Sequence, residues 1–316
     1  MRIAILGATS QIARDLIVSF CAEPQQQLYL FARRPSAVLN WLASAGMAER
    51  YPVQEFSEFG KQEFDAVINF VGVGNPAQAA AIGHAILDIT LRFDELVLNY
   101  LQKHPTCRYL FLSSGAAYGS SFNEPVCQLT VPVAPTHALA PHEWYGAAKF
   151  QAECRHRARP ELSIIDIRVF NYCSRTQDLD ARFLISDILR AIRDKTVLET
   201  SAEYIVRDYV HPSDFFKLIN LLLAASRFNK AIDCYSRLPI DKWTLLAAME
   251  KQFGLRYEII PTQLGSASSK PYYFSLNRFA ADIGYEPGLS SLEGIMQESE
   301  AMLYDARDQE SDHSDH

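Results

Sequence analysis

No run of lysine and arginine is long enough to neutralise a nucleic-acid backbone, and the formal net charge is −7 with the acids spread along the chain. A nucleic-acid partner is therefore not expected, because such binding rests on phosphate neutralisation. An anionic small ligand stays open, provided local cations or helix N-termini receive it. Long apolar runs are missing too. The mostly apolar stretch 1–6 stops at Gly7, too short for a signal-peptide core, and no later run would span a bilayer. The expectation is a cytoplasmic protein with no membrane partner. Cysteine is scarce and scattered: Cys21, Cys107, Cys127, Cys154, Cys173 and Cys234 include no Cys-x-x-Cys pair. Reduced, buried thiols are expected rather than a disulfide framework or a zinc site.

What is present is an ordinary globular composition, 48% hydrophobic and 21% charged over 316 residues. That length suits one large α/β domain with a smaller lobe. Residues 2–6, 27–32, 64–71, 108–113 and 162–169 are short, nearly continuous apolar runs, the pattern of strands covered on both faces. Helical stretches alternate with them over 10–22 and about 76–103. The fold class expected is α/β, a Rossmann-type doubly wound parallel sheet with a smaller C-terminal substrate-binding lobe. Helices are also expected over 182–195, 212–227 and 241–253, a β-rich stretch over 196–209 and a short strand over 257–261. The domains read as 1–171 for the dinucleotide-binding domain, with returns near 211–235, and 172–210 and 236–303 for the lobe. The acidic tail 304–316 has almost nothing to bury and is expected to be disordered. Its His313 and His316 read as solvated rather than as metal ligands.

Gly7-Ala8-Thr9-Ser10-Gln11-Ile12-Ala13 follows the first strand and opens the first helix. Small residues there let the backbone approach a pyrophosphate seated on the helix N-terminus. Gly7 is the one glycine of the motif; Ser10 and Ala13 take the two later small-residue positions. Gly7, Thr9, Ser10, Gln11 and Ile12 are candidate cofactor-binding residues. In NAD sites an acid at the end of the second strand bonds the ribose 2′-hydroxyl. Here the strand ends Leu30-Phe31-Ala32-Arg33-Arg34, without an acid. Guanidinium groups bind a 2′-phosphate that an acid would repel, so NADP(H) is expected, with NAD as the alternative.

Tyr145 and Lys149 stand four residues apart, which on a helix puts both on one face. An ammonium beside a phenol lowers its pKa, and a phenol so tuned can exchange the proton of a sugar hydroxyl during hydride transfer. Residues 109–119, Tyr-Leu-Phe-Leu-Ser-Ser-Gly-Ala-Ala-Tyr-Gly, read as a strand ending in hydroxyls, at the sheet end where ligands sit. A hydroxyl there can bond a reacting carbonyl oxygen.

These motifs, in this order, resemble the extended short-chain dehydrogenase/reductases, the NAD-dependent epimerase/dehydratase family. Arg168-Val169-Phe170-Asn171 and the segment Val206 to Asp214 extend the resemblance, which spans about residues 1–300. It implies Tyr145 as acid/base, Lys149 as its electrostatic partner and Ser114, in preference to Ser113, as the carbonyl-binding hydroxyl. It implies Asn171 and Arg207 on a substrate diphosphate, and His211 in a structural role. It places Phe70-Val71-Gly72 beside the cofactor, where Leu-Ala-Ala is usual in the family. A nucleotide-sugar substrate follows from the same resemblance, as does a homodimer built from the stretches 79–103 and 144–157.

Departures from the family narrow the reaction. Its 4,6-dehydratases carry Thr-Asp-Glu where this chain has Ser114-Gly115-Ala116, and neither Gly nor Ala can supply the acid or base of an elimination. The epimerising reductases of the family use a cysteine where Gly115 stands. An NADPH-dependent reductase of a nucleotide-diphosphate 4-keto-(deoxy)sugar is expected. The alternatives are an NAD-dependent 4-epimerase and, in another class, a non-catalytic dinucleotide sensor. Retention of Ser114, Tyr145, Lys149 and Arg207 argues against the sensor. The loop Tyr172-Cys173-Ser174-Arg175 also departs from the family's Tyr-Gly-Pro, and Arg175 reads as a phosphate contact or a solvated loop residue.

Overall fold

The computed structural model describes residues 1–73, 79, 81–119, 121–133, 139–140, 143–181, 183–261 and 270–311, with side chains to Leu303. The first half alternates strands and helices: β1 (Arg2–Leu6), α1 (Gln11–Ser19), β2 (Gln27–Phe31), α2 (Pro35–Ser44), β3 (Val53–Gln54), β4 (Ala66–Asn69), α3 (Ala85–Lys103), β5 (Arg108–Ser114), α4 (Trp144–Arg157) and β6 (Ile164–Val169). The second half adds β7 (Asn171–Tyr172), α5 (Leu184–Arg193), β8 (Val197–Ser201), β9 (Val206–Arg207), β10 (Tyr209–Val210), α6 (Pro212–Ala224), β11 (Lys230–Cys234), β12 (Ile240–Asp241), α7 (Lys242–Phe253), β13 (Arg256–Ile260), β14 (Tyr272–Tyr273) and α8 (Ser291–Ser311).

Seven strands form one parallel sheet in the order β11-β6-β5-β4-β1-β2-β3. The order reverses between β1 and β4, so a crevice opens there at the carboxyl ends of the strands. Both faces are covered. One core packs Ile3, Ile5, Leu16, Ile17, Leu110 and Ile167 against Phe215, Leu218 and Leu222 of α6. The other packs Leu6, Phe31, Val67 and Phe111 against Val97, Leu98 and Leu101 of α3. The lobe has its own core of Ile185, Ile188, Leu189, Leu245, Leu246, Met249 and Ile295.

The expected doubly wound sheet is thus present, with differences in detail. The long helix starts at Ala85 rather than near residue 76; Gly83, at φ +59, interrupts it, and residues 74–78 and 80 lie outside the described residues. β11 closes one edge of the sheet although its sequence, Lys-Ala-Ile-Asp-Cys, shows no apolar run. β6 is buried along its whole length yet holds two charges, Asp166 and Arg168, each paired across to α4. The tail expected to be disordered is helical as far as Ser311, because 295–311 contains no Gly or Pro and is rich in good helix formers. Residues 312–316, with His313 and His316, lie outside the described residues. All six thiols are free, but only Cys107, Cys173 and Cys234 are buried; Cys127 and Cys154 are exposed.

Candidate active site

The crevice is lined by the turns that leave β1, β2, β4, β5 and β6. Gly7 adopts φ +79, and a Cβ on it would lie 2.9 Å from the main chain of Phe70 and Val71, so glycine is required where two strand ends meet. The N–H groups of Gly7 and Ala8 donate to the Phe31 carbonyl, which ties this turn to the end of β2. Ser10 occupies the N-cap of α1 but makes no side-chain cap, so the first N–H groups of the helix lack a side-chain acceptor. Thr9 is exposed, and Ile12 packs against the core. The side chain of Gln11 instead donates to Ser174 Oγ at 3.0 Å, leaving its main chain to face the crevice.

Arg33 and Arg34 are exposed at the end of β2, and neither side chain makes a hydrogen bond or ion pair among the described residues. Arg34 is the N-cap of α2, whose first turn starts with Pro35 and has no side-chain cap. Two cations and an open helix N-terminus therefore share one corner. At the end of β4 the Phe70 side chain is buried, the Val71 N–H is held by Asn69 Oδ1 at 2.9 Å, and Gly72 is exposed. A Cβ on Gly72 would approach Lys149 Nζ to 3.4 Å.

Ser114, Tyr145 and Lys149 come together as the sequence suggests. Ser114 ends β5 and caps the 3-10 turn 115–118, accepting from the Ala116 N–H at 3.2 Å. α4 approaches that turn closely: a Cβ on Gly146 would come within 2.5 Å of the Ala116 carbonyl oxygen. This contact brings the Tyr145 phenol close enough to Ser114 for the serine hydroxyl to pull its pKa down. Lys149 is buried, donates to the Leu112 carbonyl at 2.7 Å, and stands 5.7 Å from the centre of the Tyr145 ring. Ser113 points elsewhere, donating to Glu153 Oε1 at 2.5 Å, inside a buried pair between Glu153 and Arg168.

One electrostatic expectation is corrected. The Tyr145 phenol lies above its ordinary value, because burial disfavours the phenolate and outweighs the hydrogen bond from Ser114. Lys149 does not offset this. It is spent on the Leu112 carbonyl and is itself lowered to about 8 by burial, against the pull of Glu153, Asp166 and Asp94.

On the lobe side, Asn171 Nδ2 donates to the Asp208 carbonyl at 3.1 Å and locks β7 onto β10. Arg207 Nη1 is held by the carbonyls of Val206 at 2.9 Å and Lys270 at 2.6 Å. Its Nε and Nη2 have no hydrogen-bond partner among the described residues. Asp208 is not its counter-ion; the carboxylate accepts from the Ser236 N–H at 3.0 Å and the Ser291 hydroxyl at 3.2 Å. Arg175 forms a two-pronged pair with Glu298. His211 caps α6, accepting from the Ser213 N–H at 3.1 Å, as a structural residue would.

Sequence reasoning missed Tyr273 and Lys270. β14 pairs with β9 so that Tyr273 faces Arg207 in register. The Tyr273 hydroxyl lies 3.3 Å from Ser114 Oγ, and Lys270 Nζ sits 4.8 Å from the centre of its ring. Nothing local in Lys270-Pro271-Tyr272-Tyr273 signals this, since the contacts span about half the chain.

A Rossmann-type sheet with a Ser–Tyr–Lys group at its carboxyl edge and a small lobe above defines the short-chain dehydrogenase/reductase class in its extended form. The model of the NAD dependent epimerase/dehydratase family matches residues 3–234, and the chain belongs to that family of enzymes. Two curated relatives, UDP-glucose 4-epimerase 4 and UDP-glucose 4-epimerase 2 of Oryza sativa subsp. japonica, are each 33% identical over 123 residues, or 36% of this chain. That match spans only 30% and 27% of their lengths. Among solved structures, dTDP-glucose 4,6-dehydratase of Bacillus anthracis with NAD has a TM-score of 0.77 at 15% identity, covering 98% of both chains. UDP-glucuronic acid 4-epimerase of Bacillus cereus with UDP-glucuronic acid and NAD has 0.77 at 14%, covering 97% of this chain and all of its own. UDP-glucose 4-epimerase of Thermotoga maritima with UDP-glucose has 0.77 at 17%, covering 97% and 99%. At these identities the likeness is one of fold.

Proposed function

We propose that the protein is an NADPH-dependent reductase of a nucleotide-diphosphate 4-keto-(deoxy)sugar. The observation that carries this reading is the pair Arg33 and Arg34, exposed and unengaged at the end of β2 with no acid beside them. A 2′-phosphate fits that corner and an acid-bonded ribose hydroxyl does not. The residues around the crevice suit a dinucleotide: the uncapped start of α1 leaves main-chain N–H groups open to a pyrophosphate, and the tight Gly7 turn and exposed Gly72 keep side chains out of its way.

When bound, the dinucleotide supplies the hydride. The chain's own groups do the rest. Ser114 donates to the sugar's carbonyl oxygen, Tyr145 delivers the proton that makes it a hydroxyl, and Lys149, anchored on the Leu112 carbonyl, stands beside the Tyr145 ring. Asn171 and the free edge of Arg207 hold the diphosphate. Gly115 has no room for the acid an elimination would need: a Cβ there would lie 2.6 Å from Cε1 of the Phe170 ring. A second reading, an NAD-dependent nucleotide-sugar 4-epimerase, is favoured by the curated relatives, which are named UDP-glucose 4-epimerases. We place the protein in the cytoplasm; no helix of the described residues is long and apolar enough to cross a membrane. A homodimer through α3 and α4 is part of the proposal, supported by half-buried Ile89 and Leu91 on α3.

The test is product analysis by mass spectrometry with nucleotide 4-ketosugars and unmodified nucleotide sugars. A reductase consumes NADPH and yields a product heavier by two hydrogens. An epimerase yields an isomer with no net consumption. Neither outcome with any sugar nucleotide would contradict both readings.

A further inference from the structure

Ser114 is bracketed by two phenols. Tyr273 meets it from β14 of the lobe at 3.3 Å, and Tyr145 stands beside it on α4. A serine hydroxyl has one hydrogen to donate and two lone pairs that accept. The Ala116 N–H takes one lone pair at 3.2 Å. What the other neighbours do decides where the single hydrogen points.

We propose that Tyr273 is a positioning residue: its phenol donates to Ser114 Oγ, fills the second lone pair and turns the serine's hydrogen toward Tyr145 and the reacting oxygen. The proposal rests on the reading of Ser114 as the group that meets the sugar's carbonyl oxygen. Without the phenol, the hydroxyl is free to rotate, and its hydrogen is aimed correctly only part of the time. With it, the donor is set before the substrate arrives, which is where electrostatic stabilisation gains its effect.

The surroundings suit a fixed donor. The Tyr273 ring packs edge-on against Phe122 at 4.7 Å and Phe170 at 5.2 Å, and β14 is pinned to β9. Lys270 Nζ over one side of the ring, with Arg207 Cζ 5.9 Å from its centre, completes the enclosure. Burial keeps the phenol well above its ordinary value despite the Ser114 hydroxyl and the Arg207 guanidinium, so it carries its proton at any working pH. The lobe thereby reaches into the redox centre: the strand that holds Arg207 in register also holds the residue that aims Ser114.

Tyr273→Phe keeps the ring packing and removes only the donor. The first readout needs no substrate. With 3,5-difluorotyrosine, which ionises at lower pH than tyrosine, installed at position 145, its titration is followed by fluorine NMR in the full-length protein. If Tyr273 aims the serine hydrogen at position 145, Tyr273→Phe raises that ionisation, Ser114→Ala raises it too, and the double variant equals Ser114→Ala. If Tyr273 instead accepts the serine hydrogen, its removal frees that hydrogen and the ionisation falls; a fall, or no change, overturns the proposal. The second readout is hydride transfer to a nucleotide 4-ketosugar. Tyr273→Phe should slow kcat about ten-fold with KM little changed, and should add nothing in the Ser114→Ala background. A full ten-fold loss retained without Ser114 also overturns it. Absence of hydride transfer in the unsubstituted protein counts against the nucleotide-sugar reading alone, and the ionisation still decides for or against Tyr273.

Discussion

The ammonium of Lys149 lies 2.7 Å from the carbonyl oxygen of Leu112, in the strand beneath the site, and beside the face of the Tyr145 ring rather than at its hydroxyl. Lys149 is therefore a buried cation whose one resolved hydrogen bond goes to the main chain, and its energetics can be read from that.

Burial lowers Lys149 from 10.5 to about 8, with Glu153, Asp166 and Asp94 opposing. A base depressed in the fold costs stability in full below its folded pKa, and the cost disappears as pH rises from about 8 to 10.5. At neutrality it corresponds to about 3 kcal/mol. Lys149→Met should therefore raise Tm at pH 7 while removing most hydride transfer. Calorimetry beside single-turnover kinetics checks this; a lower Tm would show that the bond to Leu112 outweighs the burial cost.

His156 should give the opposite slope. It is fully buried between Asp166 at 2.5 Å and Asp94 at 2.6 Å. Burial alone would depress the imidazole, but the two carboxylates outweigh it and push it up to about 9. A folded pKa above the unfolded 6.5 means stabilisation fully present below pH 6.5 and lost as pH rises through 9, worth about 3 kcal/mol in all. Urea melts across that window should show stability falling relative to His156→Gln. Parallel curves for the two proteins would contradict it.

The two adjacent serines should separate cleanly. Ser113→Ala removes a donor to buried Glu153 and should cost about 1–2 kcal/mol with kcat unchanged. Ser114→Ala strips the acceptor from the Ala116 N–H and the Tyr273 hydroxyl and should cost a similar amount of stability, but it should also lower kcat about 100-fold. Thermal melts and kinetics on both variants test the assignment; equal kinetic losses would undo it.

Association through α3 and α4 predicts a dimer in sedimentation velocity at micromolar protein. Leu91→Lys, on the half-buried face of α3, should shift it to monomer without lowering Tm by more than a few degrees. A monomer in the unsubstituted protein would remove the dimer from the account.

Much of this was legible in the sequence where the signal is local. The Gly7 turn, the alternation of strands and helices, and Tyr145 four residues before Lys149 are each fixed within one or two turns of chain. The choice between Ser113 and Ser114 followed the family motif; strand alternation sends the first toward Glu153 and the second toward Tyr273. What depends on distant partners was not legible. Gln11 is drawn to Ser174, Arg175 to Glu298 and Tyr273 to Ser114, across separations no periodicity encodes. The direction of the Tyr145 shift was missed for a related reason. Spacing puts an ammonium on the same helix face as a phenol, but not which acceptor the ammonium reaches or how much water the phenol loses.

The cofactor corner tests the central claim most directly. Any nucleotide held by the purified protein would be released by denaturation and identified, and the stripped protein titrated with NADPH and NADH by fluorescence. Arg33 and Arg34 on a 2′-phosphate predict exchangeable binding with NADPH preferred, and Arg33→Ala weakening NADPH about ten-fold or more while leaving NADH unchanged. A stoichiometric, non-exchanging NAD, indifferent to Arg33→Ala, would contradict the reductase and leave the 4-epimerase as the better account.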